Sequence, residues 1–401
     1  MRKKILIVSA VFPPEQVTSA FLNYDLAHEM AEKCDVTVLR PFPSRPFGTS
    51  FISADVEDKS FKTILIDSYI HPKSDLIGRF KEAIDFSNKV VKYIKVHKND
   101  IVFVYNDGWQ LFGLYIIAKA CVKYCIPYIV PIQDIYPESL LTNKRYPYIV
   151  KRIIKSILLP FDKYYQQHAA YVRTISNEMR DYLSQTRKIP FEKFLVVNNW
   201  QNDEEFHKGL STRTNDRKLV FAYVGSINEH ANVDLMIKAF VEANIENAEF
   251  RIYGGGNKKD YCEKLVKQLE AKNIFFNIVA RDKVPYVQSK ADVLVMALPK
   301  GNGNLCLPSK MTSYMLSGKP ILASVDEDSA TTRFILEADC GISVKPDDII
   351  AIKGGFLHFA HLKGDELKKL GLNSHSFAKK NLTREVNIHK VVEKIHNIME
   401  S

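Results

Sequence analysis

The chain has 401 residues, 46% of them hydrophobic and 25% charged, with a formal net charge of +10 at pH 7. That length exceeds one typical core and predicts two domains, and the composition is ordinary for a soluble globular protein, without low-complexity tracts. The six cysteines form no C-x-x-C pair and no metal-ligand cluster with histidine, so no metal site is expected and a reducing compartment fits. The basic balance points to anionic partners: nucleotides, phosphorylated lipids, acidic membrane surfaces or nucleic acid.

The opening Met1-Arg-Lys-Lys4 and the apolar Ile5 to Phe12 imitate a signal peptide, but the run is short and stops at Pro13-Pro14, so a first strand is predicted over 4–12. No apolar run approaches a bilayer span. A helix follows over 20–32, then strands over 35–40 and 61–67, a helix over 77–97, a strand over 100–105, a helix over 111–124 and a strand over 126–132. A long helix, basic and apolar at once, is predicted over 143–165. In the second half strands are expected at 218–224, 249–253, 273–278, 291–298 and 319–324, with helices at 233–243, 261–271 and a short one after Tyr286. Strands alternating with helices argue a right-handed parallel α/β sheet in each half.

One stretch, Pro308-Ser-Lys-Met-Thr-Ser-Tyr-Met-Leu-Ser-Gly-Lys-Pro320, stands out. Pro308 suits a first helical turn, Ser309 can cap it, Met311, Tyr314 and Met315 share one face, and Gly318 with Pro320 ends the helix. Ser309 and Lys310 then sit at a helix N-terminus past the carboxyl end of a strand, a place for an anion; an ordinary αβ turn with a solvated lysine is the plainer alternative. Gly225-Ser226 and Gly254-Gly-Gly256 each follow a strand, where glycine lets a backbone approach a phosphate or simply turns. Neither is a G-x-G-x-x-G with a following acid, which argues against a nicotinamide site. Asp134 and Glu138 follow the fifth strand and suit hydroxyl binding or proton handling, or else the N-terminus of a helix.

Lys144, Arg145, Lys151, Arg152, Lys155 and Lys163, opposed by Asp162 alone, are interleaved with Tyr146, Tyr148, Ile149, Val150, Ile153, Ile154, Ile157, Leu158, Leu159 and Phe161. A helix of that composition suits an anionic membrane surface; the alternative is a core helix with a solvated basic face. No nucleic-acid motif is present, so nucleic acid is not expected as a partner.

Together these stretches resemble the family 4 glycosyltransferases of the GT-B fold, above all the subgroup that builds bacterial O-antigen, capsule and exopolysaccharide repeats. The likeness covers nearly the whole chain. Phe12-Pro-Pro-Glu15 and Phe42-Pro-Ser-Arg-Pro46 resemble the family's first two loops. Asp134-Ile-Tyr-Pro-Glu-Ser139 resembles its Asp-Leu-Trp-Pro-Glu-Ser, and Asn198-Asn-Trp200 with Asp203 its interdomain Pro-Asn-Trp-x-Asp. The Pro308 to Pro320 stretch resembles Pro-Ser-Lys-x-x-Glu-Tyr-Met-Ala-Ala-Gly-Lys-Pro.

The resemblance implies two facing Rossmann-like domains: an acceptor-binding domain over 1–200, a nucleotide-sugar-binding domain over 201–375, and a C-terminal helix over 376–401 crossing back to the first. It implies a UDP-linked donor near Gly225, Ser226, Arg281, Ser309, Lys310 and Ser313, with no resident cofactor or metal. The acceptor, a polyprenyl-diphosphate-linked saccharide, would meet Gln16, Asp134 and Glu138, with Glu15 and Asp134 as the carboxylates for proton transfer. Such an enzyme would retain anomeric configuration and work in the cytoplasm at the inner face of an anionic membrane, held by residues 144–165.

The sequence also departs from the family. Its Glu-(seven residues)-Glu pair falls on Leu305 and Ser313, a histidine after the fourth strand falls near Asn106 or Asp107, and a basic pair is replaced by Asn228-Glu-His230. These departures leave a catalytically silent scaffold of the same fold as one alternative. A sugar-nucleotide epimerase is another, against which Pro308-Ser-Lys310 and Asp134 to Ser139 argue.

Overall fold

A computed structural model describes the chain except residues 1, 47–48, 73–74, 142–146, 202, 207–217, 304–306 and 401. The chain divides into two compact units, Met1–Asn198 with Asn387–Ser401, and Asn199–Val386. The expected domain limits were 200 and 375.

The N-terminal unit runs β1 (Lys4–Ser9), α1 (Thr18–Ala31), β2 (Asp35–Arg40), β3 (Lys62–Leu65), α2 (Leu76–His97), β4 (Ile101–Asp107), α3 (Phe112–Lys123), β5 (Tyr128–Ile132), α4 (Glu138–Leu141), α5 (Tyr148–Gln167), β6 (Tyr171–Thr174), α6 (Asn177–Arg187) and β7 (Phe194–Val196). Its seven strands are all parallel in the order β3-β2-β1-β4-β5-β6-β7. Buried parallel strands have helices on both faces, so they read as continuous apolar runs; β1 and β5 are buried over nearly their whole length. The strand order reverses between β1 and β4. In open α/β sheets a ligand crevice opens at that place, beyond the carboxyl ends of the strands.

The second unit runs β8 (Leu219–Val224), α7 (Val233–Ala243), β9 (Ala248–Tyr253), α8 (Lys259–Gln268), β10 (Ile274–Asn277), α9 (Val284–Ser289), β11 (Val293–Ala297), α10 (Ser309–Leu316), β12 (Ile321–Ser324), α11 (Ala330–Ala338), β13 (Gly341–Val344), α12 (Ile349–His361), α13 (Gly364–Asn381) and α14 (Arg384–Glu400). Its parallel sheet has the order β10-β9-β8-β11-β12-β13, reversing between β8 and β11. One face closes on a ring cluster: Phe356 of α12 meets Phe221 at 4.9 Å, Phe240 at 5.2 Å and Phe250 at 5.8 Å. Helix α14 starts in this unit and passes into the first. There Ile388, Val391 and Ile395 are buried, Lys394 lies 4.1 Å over the Tyr171 ring, and Lys3 donates to the Met399 carbonyl at 2.6 Å.

The Asn198-Asn-Trp200 stretch and Asp203 have mechanical roles. Asn198 donates to the Ile175 carbonyl at 2.7 Å, and Trp200 is buried. Asp203 accepts from the Arg384 amide at 3.3 Å and pairs with Lys379 at 3.2 Å, pinning the turn between α13 and α14.

Candidate functional site

In the second unit, Gly225 and Ser226 leave the end of β8, and Lys310 begins α10 after β11, so the sheet reversal brings them together. Helix α10 is fixed by Tyr314, whose hydroxyl accepts from the Val224 amide at 2.8 Å while Met311, Tyr314 and Met315 are fully buried. Lys310 lies along Gly225: a Cβ built on that glycine would stand 2.1 Å from the lysine Cε. Gly225 has φ +152° and leaves the room the lysine occupies. The ammonium is 5.4 Å from the centre of the Tyr223 ring, whose hydroxyl donates to the Ser226 carbonyl at 2.5 Å. A cation is thereby held at the carboxyl end of β8.

The triglycine has a different purpose. A Cβ on Gly254 would fall 2.0 Å from the Gly225 carbonyl oxygen, and one on Gly256 2.2 Å from that of Ile227. The amides of Gly225 and Ile227 donate to Tyr253 and Gly255 carbonyls at 2.9 and 2.8 Å. These glycines let two loops continue the β8–β9 ladder beyond the strands.

In the N-terminal unit a cavity of about 350 Å³ opens at the β1/β4 reversal. Its walls include Arg45, Arg79, Asp107, Trp109, Asp134 and Tyr136. Arg45 pairs with Glu82 at 2.6 Å and lies 4.9 Å over the Trp109 ring. Arg79 stands near the Tyr136 hydroxyl, and its charge opposes the upward push of burial on that group. Asp107, at the end of β4, takes the Asn23 amide on Oδ2 at 2.7 Å, and that amide also reaches Ser9 Oγ at 2.7 Å. Burial pushes the Asp107 carboxyl up to about 6, although the Asn23 hydrogen bond and Arg173 pull the other way. Aromatic walls with cationic, acidic and amide side chains suit a polar, partly anionic small molecule.

Comparison with known proteins supplies the family. Residues 21–205 match the model described as Glycosyltransferase Family 4, and residues 204–376 that described as Glycosyl transferases group 1. The chain is a family 4 glycosyltransferase. It is 20% identical to the probable glycosyltransferase WbjE of Pseudomonas aeruginosa over 324 residues, 78% of each chain. It is 26% identical to the putative colanic acid biosynthesis glycosyl transferase WcaI of Escherichia coli over 143 residues, 35% of each. HepE of Anabaena, solved in complex with UDP, shares the fold at a TM-score of 0.70 and 13% identity, over 98% of this chain and 100% of HepE. The two parallel-sheet units are those of a GT-B glycosyltransferase.

Against that background the glycosyltransferase's predicted residues separate into groups. Gly225, Ser226 and Lys310 come together. Ser309 does not cap α10: Pro308 occupies the N-cap in an extended conformation and no side chain caps the helix. Proline's fixed φ fits that position as well as the first turn, which moves serine one place inward; Ser309 is exposed and its carbonyl accepts from Gln201 at 2.9 Å. Ser313 is buried, accepts from Gln288 at 3.2 Å and donates to the Lys310 carbonyl at 2.9 Å, so it is engaged with its own unit. Leu305, the other glutamate position, lies outside the described residues. Arg281 is exposed on a short 3-10 turn before α9.

In the first unit Asp134 lines the cavity, but Glu15 and Glu138 do not. Glu15 is buried, and its carboxylate accepts the amides of Phe12, Ser44 and Arg45 at 2.8, 2.8 and 2.7 Å, clamping two loops. That corrects its expected part in proton transfer. Gln16 is exposed, its amide 3.4 Å from the Pro14 carbonyl, and it too is not a cavity wall.

Glu138 is corrected in the same way. It is held by Arg187 through both oxygens, at 2.8 and 2.6 Å, and by Lys155 at 3.0 Å. Burial alone would raise its carboxyl, but Arg187 and Lys155 hold it below the usual range. The fully buried Arg187 also donates to Asp162 at 2.6 Å and to the Tyr136 carbonyl at 2.6 Å. This hub fixes the cavity wall at Tyr136 from behind.

Cavity residues that sequence reasoning missed are Asp107, Arg45, Arg79 and Trp109. The sequence signals were the place of Asp107 where the family carries a histidine and the Phe42-Pro-Ser-Arg-Pro46 loop, which contains Arg45.

Proposed function

We propose that the chain transfers a sugar, with retention, from a UDP-linked donor bound by the second unit to a saccharide held by the first, in bacterial surface polysaccharide synthesis. The acceptor is a polyprenyl-diphosphate-linked glycan of the O-antigen or capsule type. The observation that carries the donor assignment is Lys310 lying along Gly225 at the end of β8. An ammonium there meets the charge that grows on the leaving diphosphate as the glycosidic bond to the nucleotide breaks. The chain's own cations and amides suffice for that charge in this proposal, without a metal. HepE, solved in complex with UDP, and WcaI, named for colanic acid biosynthesis, support the choice of nucleotide and of pathway class.

The cytoplasmic face of an anionic membrane is the proposed place of work, with α5 as the contact. Tyr148, Ile149, Ile153 and Ile157 of that helix are 54–77% exposed, and Arg152 is exposed between them. Lys155 is committed to Glu138 and does not belong to the free basic face; Lys144, Arg145 and Tyr146 lie outside the described residues. No helix of the described chain is long and apolar enough to cross a membrane.

The test is transfer itself. Purified protein, UDP-sugars and an extract of lipid-linked saccharides should yield an extended lipid-linked product together with UDP. UDP binding without any transfer would favour the silent scaffold, and isomerised nucleotide-sugar without acceptor would favour an epimerase.

A further inference from the structure

The N-terminal cavity contains one carboxylate built into the sheet itself. Asp107 is the last residue of β4, and its carbonyl accepts from the Ala10 amide at 2.9 Å, locking it to the chain leaving β1. Its side chain is oriented by Asn23 of α1, which spends its amide on Asp107 Oδ2 and Ser9 Oγ. The other oxygen, Oδ1, has no hydrogen-bond partner among the described residues and is not among the polar atoms sealed from solvent. A buried carboxylate with one oxygen fixed and one open to a cavity is a preorganised acceptor for a hydroxyl. Trp109, two residues on, and Tyr136 opposite supply ring surface to the same cavity.

We propose that Asp107 is the group that fixes a hydroxyl of the sugar bound in the N-terminal cavity, its Oδ1 accepting that hydroxyl's hydrogen bond. This rests on the reading that the cavity holds the acceptor saccharide. Asp107 thereby sets the orientation of the sugar ring, and a ring lacking a hydroxyl at that place is discriminated against.

The charge state matters because only the ionised carboxylate offers an acceptor without a competing proton. The groups around it are Arg173 of β6, which stabilises the anion, Tyr105 on its own strand, and Asn23 on α1; Arg45, Arg79 and Asp134 stand on the cavity walls. Its carboxyl titrates at about 6, so sugar binding weakens as pH falls through that value.

The experiment titrates methyl and p-nitrophenyl hexosides against the full chain by saturation-transfer NMR, with UDP titrated calorimetrically on the same samples. At least one hexoside is expected to bind, with affinity falling roughly tenfold from about pH 7.5 to about pH 5 as the ionised fraction drops. Asp107→Asn is expected to weaken that hexoside at least fivefold at neutral pH and to abolish its pH dependence, with UDP affinity unchanged. Binding of no hexoside, an Asn variant that binds as wild type, or a wild-type affinity flat across the range would each overturn the proposal. Should Asp107→Asn fail to fold, seen as lost UDP binding, the wild-type titration decides alone. Failure of UDP to bind wild type would sink the donor reading and leave the hexoside result standing.

Discussion

The placement of Lys310 by Gly225 can be tested as a coupled pair. Lys310→Ala removes a charged partner of the diphosphate, and hydrogen bonds to charged groups contribute about 1.5–3 kcal/mol. UDP affinity should therefore fall roughly tenfold to hundredfold. Gly225→Ala attacks the same contact from the other side. Its Cβ would lie 2.1 Å from Lys310 Cε, 3.1 Å from Cδ and 3.2 Å from Nζ. Carbon atoms in contact rest about 3.5–4.0 Å apart, so the lysine must move by more than about 1 Å. The far end of a lysine moves cheaply, so the chain folds, losing about 1–3 kcal/mol of stability to the φ of +152°. The displaced ammonium loses most of its interaction with the diphosphate. If both substitutions act through one ammonium, the double variant binds UDP about as poorly as Lys310→Ala alone, a coupling of about 1–3 kcal/mol in a double-mutant cycle. Calorimetric titration of the four proteins with UDP measures it, with thermal unfolding as the control for folding. Effects that add to within about 0.5 kcal/mol would refute the argument, because the glycine would then act without the lysine.

Three further outcomes follow from the structure. Arg187→Met leaves Asp162 a buried carboxylate without its counter-ion and Glu138 with Lys155 alone, and should cost about 3–5 kcal/mol in urea unfolding, with Arg187→Lys intermediate because it keeps the charge and loses the fork. Asp107 has a carboxyl raised to about 6 in the fold against about 4 unfolded, so its contribution is present at low pH and lost as pH rises through about 6. Relative to wild type, Asp107→Asn should gain about 2 kcal/mol between about pH 4 and pH 7.5; denaturation showing the same difference at both ends contradicts this. Ile153→Ser with Ile157→Ser, at 54% and 60% exposure, should leave unfolding unchanged and lower flotation with anionic vesicles at least tenfold, since two buried side chains supply about 1.5–3 kcal/mol each. Unchanged flotation would remove α5 from the membrane.

Most of the fold was legible because parallel strands covered on both faces must be apolar throughout. Strand β2 and helix α7 fall at their predicted limits, and β1, β5, β8 and β11 within a few residues. Strand β6 escaped because it carries a charge in the core: Arg173 is buried, donating to the Tyr105 hydroxyl at 3.2 Å and to the carbonyls of Val197 and Asn198 at 3.4 Å. Strand β7 is three residues long and half-buried, too short for any period to appear. Helices α11 and α12 with β13 between them went unread although Ser329 and Asp348 cap the two helices.

The site divides by distance along the chain. Gly225 and the Pro308-Ser-Lys310 turn announce themselves because each sits where its own strand ends, and the sheet order then joins them. Glu15 and Glu138 look the same in sequence, carboxylates just past a strand, yet the partners that claim them are Ser44 and Arg45 for one and Arg187 for the other. Nothing local marks a carboxylate as already spent. Asp107 is the converse case. It ends an apolar strand and looks like a boundary residue until β4 is laid beside β1, when the sheet reversal turns it to the cavity and burial lifts its carboxyl toward neutrality. Sequence position therefore locates strand ends, while strand order decides which strand end faces a ligand and which carboxylate is left to meet it.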